Sequence, residues 1–562
     1  MRAYLKGSLL LGYLACFHEA TGERLQALGM GPALVLYLGV FGLLALGLWL
    51  AAQIRLGLVR WALALLFFAS AVFFDAYTRI TASYLTYSAF ISMVYSGAFI
   101  QDALLQYQDA ILLALARGLL LLLGIGLRPG TWPRLPRVLP WAAPLLGVLL
   151  LTGILFVRAG EGARGLPVMY TPLAYLNLLA YETLHDHVGV RQPVSLARSG
   201  PAMARDIVLL IDESVSGNYL DLNTAQGVPT PLTQGAGLKI FNFGYAASIA
   251  NCSADTNVTL RYGGTRADYL RINSTQPSIW QYAHQAGLQT VYIDAQRTGG
   301  NLQNLMSETE KRDIDRFIQF DDTPVQQRDM AVEAQLVELL GDGRPQLILV
   351  NKVGAHFPVH DKYPDDFMLW RPALPRGEYT DIADTGRRDG FSGSPQDWVL
   401  YRNAYRNTLA WNVGEFFKRL FAQADLSQAV LIYTSDHGQD LHERGNPGLN
   451  THCDSDPVME EGLVPLVVIQ GEGVKAPDWA AHLQQNRDRS SHYNLFPTLL
   501  QLLGYDQAQV QAAYGRPLSV ATEDEFSFNT RFNARLGASP VFKRIDLGQV
   551  VVPEGTVVGS RE

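Results

Sequence analysis

The chain has 562 residues, with 45 Lys and Arg against 52 Asp and Glu, 48% hydrophobic and only 17% charged residues. That balance excludes a disordered, collagenous or simple nucleic-acid-binding chain. The charge is unevenly divided: 12 basic and 6 acidic residues precede residue 166, and 33 and 46 follow it. An apolar block of net charge +6 thus leads into an acidic part of net charge −13, which predicts a membrane block followed by one soluble domain large enough to bury a sizeable core. The three cysteines, Cys16, Cys252 and Cys453, cannot make a disulfide framework, and at most one pair lies in the soluble part.

Residues 31 to 53 carry no charge and are long enough to cross hydrocarbon as a helix. Residues 57 to 74, 108 to 127 and 137 to 157 are similarly apolar and are read as further spans. The segment 5 to 20 is short. It lacks a small-x-small cleavage site and is read as an uncleaved first span, giving four or five helices within residues 1–160. Arg55 and Arg60 in one loop, and Arg128, Arg134 and Arg137 in another, place those loops in the cytoplasm. Everything after residue 160 is then expected on the opposite side, outside the cytoplasm. The Tyr- and Ser-rich segment 78 to 107 suits a helix lying on the outer face. Residues 161–205 are expected to form an interfacial helix, over 166 to 186, and an exposed connector.

The soluble domain is expected over residues 206–562. IVLLI (207–211) is a short apolar run bounded by charges, as in a strand buried on both faces of a parallel sheet. Similar runs recur at 290–295, 346–353, 429–438 and 463–473, with helical patterns at 278–287, 328–340 and 401–423 between them. This alternation predicts an α/β fold with a mostly parallel sheet, in which chemistry sits at the carboxyl ends of strands. Residues 370–397 read as a polar surface insertion.

Acids and imidazoles gather at those strand ends. Asp212 and Glu213 follow the first strand, His356 and His360 the third, and Asp436 and His437 the fourth, with His442 and His452 further on. A carboxylate from one strand end and an Asp-His pair from another make a competent zinc site of mixed oxygen and nitrogen ligands. Ser214 and Ser216 lack a G-x-S-x-G elbow, Ser491-His492 reads as a helix cap, and no P-loop exists.

Taken together, five stretches resemble the membrane-bound phosphoethanolamine transferases, relatives of the sulfatase and alkaline phosphatase superfamily. They are IVLLIDESVSGNYLDLN, NCSADTNVTLRYGG, GAHFPVHDKYP, YTSDHG and SHYNLFPTLLQLLGY. The resemblance implies Glu213, Asp436, His437 and Thr256 as metal ligands. Thr256, four residues after Cys252, is implied as the nucleophile, and His356 and His452 as contacts of the transferred phosphoryl group. Position 262 is Tyr where the family usually has a second Cys. Two readings of the cysteines stand: Cys252 and Cys453 bridge two loops of the site, or they are separate thiols.

The implied chemistry is zinc-dependent, with one Zn²⁺ and room for a second. Phosphatidylethanolamine donates phosphoethanolamine to Thr256 and leaves as diacylglycerol, and a hydroxyl of lipid A, lipopolysaccharide or another glycan then takes the group. A Thr hydroxyl is a poor nucleophile near neutral pH, and a metal lowers the pKa of an oxygen it binds. The alternatives on the same fold are a phosphoglycerol transferase or a sulfatase-like hydrolase, though no C/S-x-P-x-R motif is present. A non-catalytic lipid sensor is the reading from another class, and loss of ligand residues would mark it. No nucleic-acid partner is implied.

Overall fold

The computed structural model describes residues 2–95, 100, 104, 107–129, 138–185, 190–233, 238–375, 391, 393–454, 456–475, 477–532 and 539–553. The chain divides into two compact units. The first comprises Met1–His187, Pro447–Leu449 and Asn533–Pro540, and the second the rest.

In the first unit, four helices among the described residues are long and apolar enough to cross a membrane: Pro32–Ala51, Gly57–Thr81, Gln108–Gly126 and Leu139–Val157. The segment read as a first span forms a 14-residue helix, Arg2–Ala15, followed by a separate helix, His18–Leu28. At 1.5 Å per residue the first of these is about 21 Å long, short of the roughly 30 Å of a bilayer core. Its Lys6 is buried and donates to the carbonyl oxygens of Ile125 and Leu127, while Arg60 donates to Gly126 O at 3.0 Å. Two cations therefore satisfy the open carbonyls at the C-terminus of Gln108–Gly126, where the helix dipole also favours positive charge. The Arg-rich loop at 128–137 and the amphipathic segment at 78–107 lie partly outside the described residues. The described part of the latter completes the Gly57–Thr81 helix and forms Tyr87–Tyr95. The expected interfacial helix is Thr171–His185, whose Thr171, Pro172, Ala174, Tyr175, Leu178 and Glu182 are buried. Its Glu182 carboxylate accepts from Tyr87 Oη at 2.7 Å.

The second unit is built on an eight-stranded sheet. Its strands are β1 (Asp206–Asp212), β2 (Lys239–Ala247), β3 (Gln289–Asp294), β4 (Arg316–Ile318), β5 (Gln346–Asn351), β6 (Ala429–Ser435), β7 (Leu463–Gln470) and β8 (Ser490–Ser491), in the order β4-β3-β5-β1-β6-β7-β2-β8. Only β7 runs against the others, pairing antiparallel with both β6 and β2. Five of the strands were expected as apolar runs. β2 was not, because KIFNFGYAA is exposed or half-buried over its first four residues and carries a register shift between Asn242 and Tyr245. That is the pattern of a strand near the sheet margin.

The core forms two layers that follow from the two-residue period of a strand. Val208, Leu210, Ile348, Val350, Leu431 and Tyr433 pack on one face under the helices Val325–Gly341 and Pro395–Leu409. Ile207, Leu209, Ile211, Leu347, Leu349, Val430 and Ile432 pack on the other with Trp280, Leu495 and Leu499. Residues covered on both faces need a continuous apolar run, which is why β1, β5 and β6 were legible. Of the polar insertion at 370–397, residues 376–390 and 392 lie outside the described residues.

Candidate active site

β5, β1 and β6 are adjacent and parallel, so their carboxyl ends open on one edge of the sheet. Asp212 and Ser435 are register partners, and the residues that follow them, Glu213 and Asp436, emerge side by side. The junction is tied by Asp436 N–H donating to Asp212 O at 2.8 Å and by Ser435 Oγ donating to the same oxygen at 3.0 Å. Ser214 then takes a left-handed conformation with φ of 60°, which costs free energy in a residue with a Cβ. That turn aims its N–H at Asp436 Oδ1 (2.9 Å) and its hydroxyl at Glu213 Oε1 (2.9 Å). Behind Glu213, Gly354 has φ of +55°, and a Cβ there would lie 2.5 Å from Glu213 N and 2.6 Å from Glu213 O. Only glycine fits this approach.

Glu213, Asp436 and His437 are each buried and offer ligand atoms that all lie within 4.8 Å of one another. His437 Nε2 stands 3.3 Å from Glu213 Oε1 and 3.7 Å from Asp436 Oδ2. His437 Nδ1 is 2.7 Å from Gly438 O and donates to it, so Nε2 is the nitrogen turned to Glu213 and Asp436 and the one that an ion would bind. Asp436 Oδ2 is buried with no hydrogen-bond partner. An unsatisfied carboxylate oxygen in a dry site is costly unless a cation completes it. Two carboxylates, one imidazole nitrogen and a neighbouring hydroxyl form a donor set suited to a zinc-type ion. The residues present fit such an ion.

The electrostatics agree. Burial pushes the Glu213 carboxyl up, but the hydrogen bond and charge of His437, with the charge of His356, outweigh it and hold the group well below the usual carboxylate range. Asp436 goes the other way, raised by burial and by the charge of Glu213. Burial would lower His437, yet Asp436 and Glu213 push it up to about 9. The three side chains hold a proton among themselves that an ion would displace.

The expected nucleophile is where structure and expectation part. Thr256 lies in the first turn and a half of the helix Ser253–Tyr262, fully buried, and its Oγ1 faces Ala250, 3.3 Å from both N and O of that residue. No contact joins its hydroxyl to Glu213, Asp436 or His437 among those described. The hydroxyl that does meet them is that of Ser253, 3.0 Å from Glu213 Oε1 and 3.1 Å from His437 Nε2. Ser253 directly follows Cys252 and opens the helix, whose first N–H groups have no intrahelical partner.

His452 is brought to the site, its ring stacked on His437 with centroids 4.6 Å apart. His356 stacks on Phe357, whose ring in turn lies 6.0 Å from that of His452. Burial lowers His356 to about 4 despite the pull of Glu213, and burial with the charge of His437 holds His452 well below its ordinary value. Both are therefore neutral near pH 7 and can take up a proton. Cys252 and Cys453 are bonded, with Cα atoms 5.0 Å apart, joining the start of the Ser253–Tyr262 helix to the loop of His452. His442 is elsewhere: its ring stacks on Trp398, and its two nitrogens lie 2.9 Å from Asn446 O and Asn450 O.

Two supports escaped the sequence reading. Gln296, just past β3, donates to Glu213 Oε2 at 3.1 Å and to Lys352 O at 2.8 Å. Lys352 is fully buried, with Nζ 2.8 Å from Asp212 Oδ1 and 3.8 Å from Asp329 Oδ2. Asp329 in turn accepts from Val353 N (2.8 Å) and Gly354 N (3.0 Å), fixing the turn that backs Glu213. Gln296 lies just past the 290–295 run and Lys352 inside the 346–353 run, but neither run shows the partners, because a buried Lys-Asp network is specified by three elements distant in sequence.

The Sulfatase family profile matches residues 205–505. Two curated relatives are Kdo(2)-lipid A phosphoethanolamine 7''-transferases. That of Salmonella typhimurium is 25% identical over 166 residues, 28% of this chain and 26% of the relative. That of Escherichia coli K12 is 25% identical over 187 residues, 32% of this chain and 30% of the relative. The aligned segments thus span less than a third of either relative's length. Among solved structures, the integral membrane lipooligosaccharide phosphoethanolamine transferase A of Neisseria meningitidis shares the fold with a TM-score of 0.60. It is 16% identical and covers 92% of this chain and 98% of its own.

Proposed function

Because the chain belongs to the Sulfatase family, we propose that it is a metal-dependent phosphoethanolamine transferase of the bacterial envelope. The donor is phosphatidylethanolamine, and the acceptor is a hydroxyl of lipid A, lipopolysaccharide or a related glycan. The observation that carries this reading is the buried Glu213, Asp436 and His437 constellation, with a hydroxyl from a helix N-terminus 3.0 Å from Glu213 and the His452 ring stacked on His437. The aligned relatives act on lipid A with this chemistry by name, which supports the group transferred and the acceptor class.

Glu213, Asp436 and His437 would hold the ion, for which Zn²⁺ suits the donor set. When bound, the ion supplies positive charge that stabilises a nearby oxyanion and the phosphoryl oxygens. The rest falls to the chain. The open N–H groups at the start of Ser253–Tyr262 would face the phosphoryl oxygens of a bound donor, and Gln296 and Ser214 hold the Glu213 carboxylate in place. His356 and His452, neutral near pH 7, are proton acceptors that would take up the proton of an attacking hydroxyl.

The four apolar helices supply an anchor in the inner membrane, where a lipid donor resides. The Arg-rich loops support a periplasmic catalytic unit. The Cys252–Cys453 bond supports the same placement, since disulfides persist in oxidising compartments. The boundaries proposed for the three segments remain 1–160, 161–205 and 206–562.

The test is to incubate detergent-purified protein with zinc, phosphatidylethanolamine and lipid A and to follow both products. Diacylglycerol release together with phosphoethanolamine-modified lipid A is the expected result. Release from phosphatidylglycerol instead would favour the phosphoglycerol reading, and release from neither lipid would end both.

A further inference from the structure

We propose that Ser253, and not Thr256, supplies the hydroxyl that carries the transferred group. This inference rests on the transfer reading above and names the atom it passes through. Ser253 Oγ lies 3.0 Å from Glu213 Oε1 and 3.1 Å from His437 Nε2, so it already occupies the space between two of the three ligand residues. Thr256 Oγ1 is engaged with Ala250 N and O at 3.3 Å, on a fully buried residue. At 1.5 Å per residue, Thr256 also sits about 4.5 Å further along the helix, away from the end whose N–H groups are open. Ser253 is the first helical residue, only partly buried, and the extended Cys252 before it is held by the bond to Cys453. Its carbonyl accepts from Asn257 Nδ2 at 3.0 Å.

In the first half-reaction the Ser253 Oγ–P bond forms and the P–O bond to diacylglycerol breaks. The serine proton, at present directed at Glu213 Oε1, ends on the diacylglycerol oxygen. In the second half-reaction the acceptor oxygen bonds phosphorus, the Ser253 Oγ–P bond breaks, and the acceptor's proton restores the serine hydroxyl. Atoms and charge balance without any further reactant.

The experiment uses the full chain in detergent with zinc and two donors in parallel, phosphatidylethanolamine and an activated aryl phosphodiester. Each reaction is quenched in acid, and the label is located by fragmentation of the peptide that holds both hydroxyls. The variants are Ser253→Ala, Thr256→Ala and the isosteric Thr256→Val, each checked for unchanged thermal unfolding. The expected result is label on Ser253, absent from Ser253→Ala and retained in both Thr256 variants. Turnover should fall about a thousandfold in Ser253→Ala and stay within about threefold of wild type in Thr256→Val. Label on Thr256 that persists in Ser253→Ala overturns the proposal, as does diacylglycerol release with Ser253 unlabelled. Label on Ser253 from the aryl diester, without diacylglycerol from the lipid, upholds the serine and removes the lipid-donor reading. Label on neither hydroxyl from either donor overturns both.

Discussion

The strand ends and the helix start meet at one site but are specified in different ways. Glu213, Asp436 and His437 leave β1 and β6, whose register is fixed by a continuous ladder from Asp206 to Asp212, so each side chain is placed by the middle of the sheet. Ser253 and Thr256 ride on a helix of ten residues whose start is set by a loop, one disulfide and a few side-chain bonds. A ligand at a strand end is fixed by hydrogen-bonded pairing, whereas a hydroxyl at a helix start is reassigned by shifting that start by a residue or two. The metal half of the site should therefore respond to substitution as a rigid body, and the hydroxyl half as a clamped but movable one.

The largest effect is expected at the rigid half. Asp436→Asn removes a charge from the ligand set and should reduce bound zinc, measured by elemental analysis of the purified protein, to near zero. Turnover should fall by about a thousandfold or more. An Asn variant that keeps a full complement of zinc would place the ion elsewhere.

The clamp comes next. The Cys252–Cys453 bond closes a loop of 201 residues' separation. Replacing both cysteines by Ser should cost about 2–5 kcal/mol in denaturant unfolding of the second unit. It should also lower turnover more than zinc content, because the ligands stay in the sheet while Ser253 and His452 lose their tether. Equal losses in both would show that the two halves are not separable in this way.

Gly354 tests the backing of Glu213. With φ of +55° and only 2.5 Å to Glu213 N, Gly354→Ala must displace the Glu213 backbone. Zinc affinity should weaken about 10- to 100-fold in competition titrations with a chelator. Unchanged affinity would mean that this close approach does not position the carboxylate.

The smallest effect concerns pH. Burial raises Asp255 to about 7 from an ordinary 3.8. Between those values the folded chain holds a proton that the unfolded chain has released. The stability this supplies is complete below about pH 4 and is lost as pH rises to 7. Asp255→Asn removes the term, so the variant should gain on wild type by about 1–3 kcal/mol between pH 5 and 8, read from thermal unfolding. Parallel pH profiles for the two proteins would count against a buried, protonated Asp255.

Much of this arrangement was legible before any coordinates. The runs at β1, β5 and β6 announced strands covered on both faces, and the acids and His following them announced the cluster of Glu213, Asp436 and His437, since a parallel sheet has one chemically open edge. Four apolar helices long enough to cross a membrane were plain from length and composition, whereas the 5–20 segment holds a shorter helix of 14 residues, Arg2–Ala15. What the sequence hid depends on distances between elements remote in the chain. Gln296 reaches Glu213 across β5, and Lys352 pairs with Asp212 and Asp329. The choice between Ser253 and Thr256 turns on where a helix starts, and element boundaries are what periodicity fixes least.

The most direct test of the account is a structure of the full chain with zinc, with anomalous difference density recorded at the zinc edge. The account predicts a peak bounded by Glu213, Asp436 and His437, with Ser253 Oγ the nearest hydroxyl and Thr256 Oγ1 still against Ala250. A peak coordinated by Thr256, or one lying between His356 and His452 with the strand-end triad empty, would contradict it.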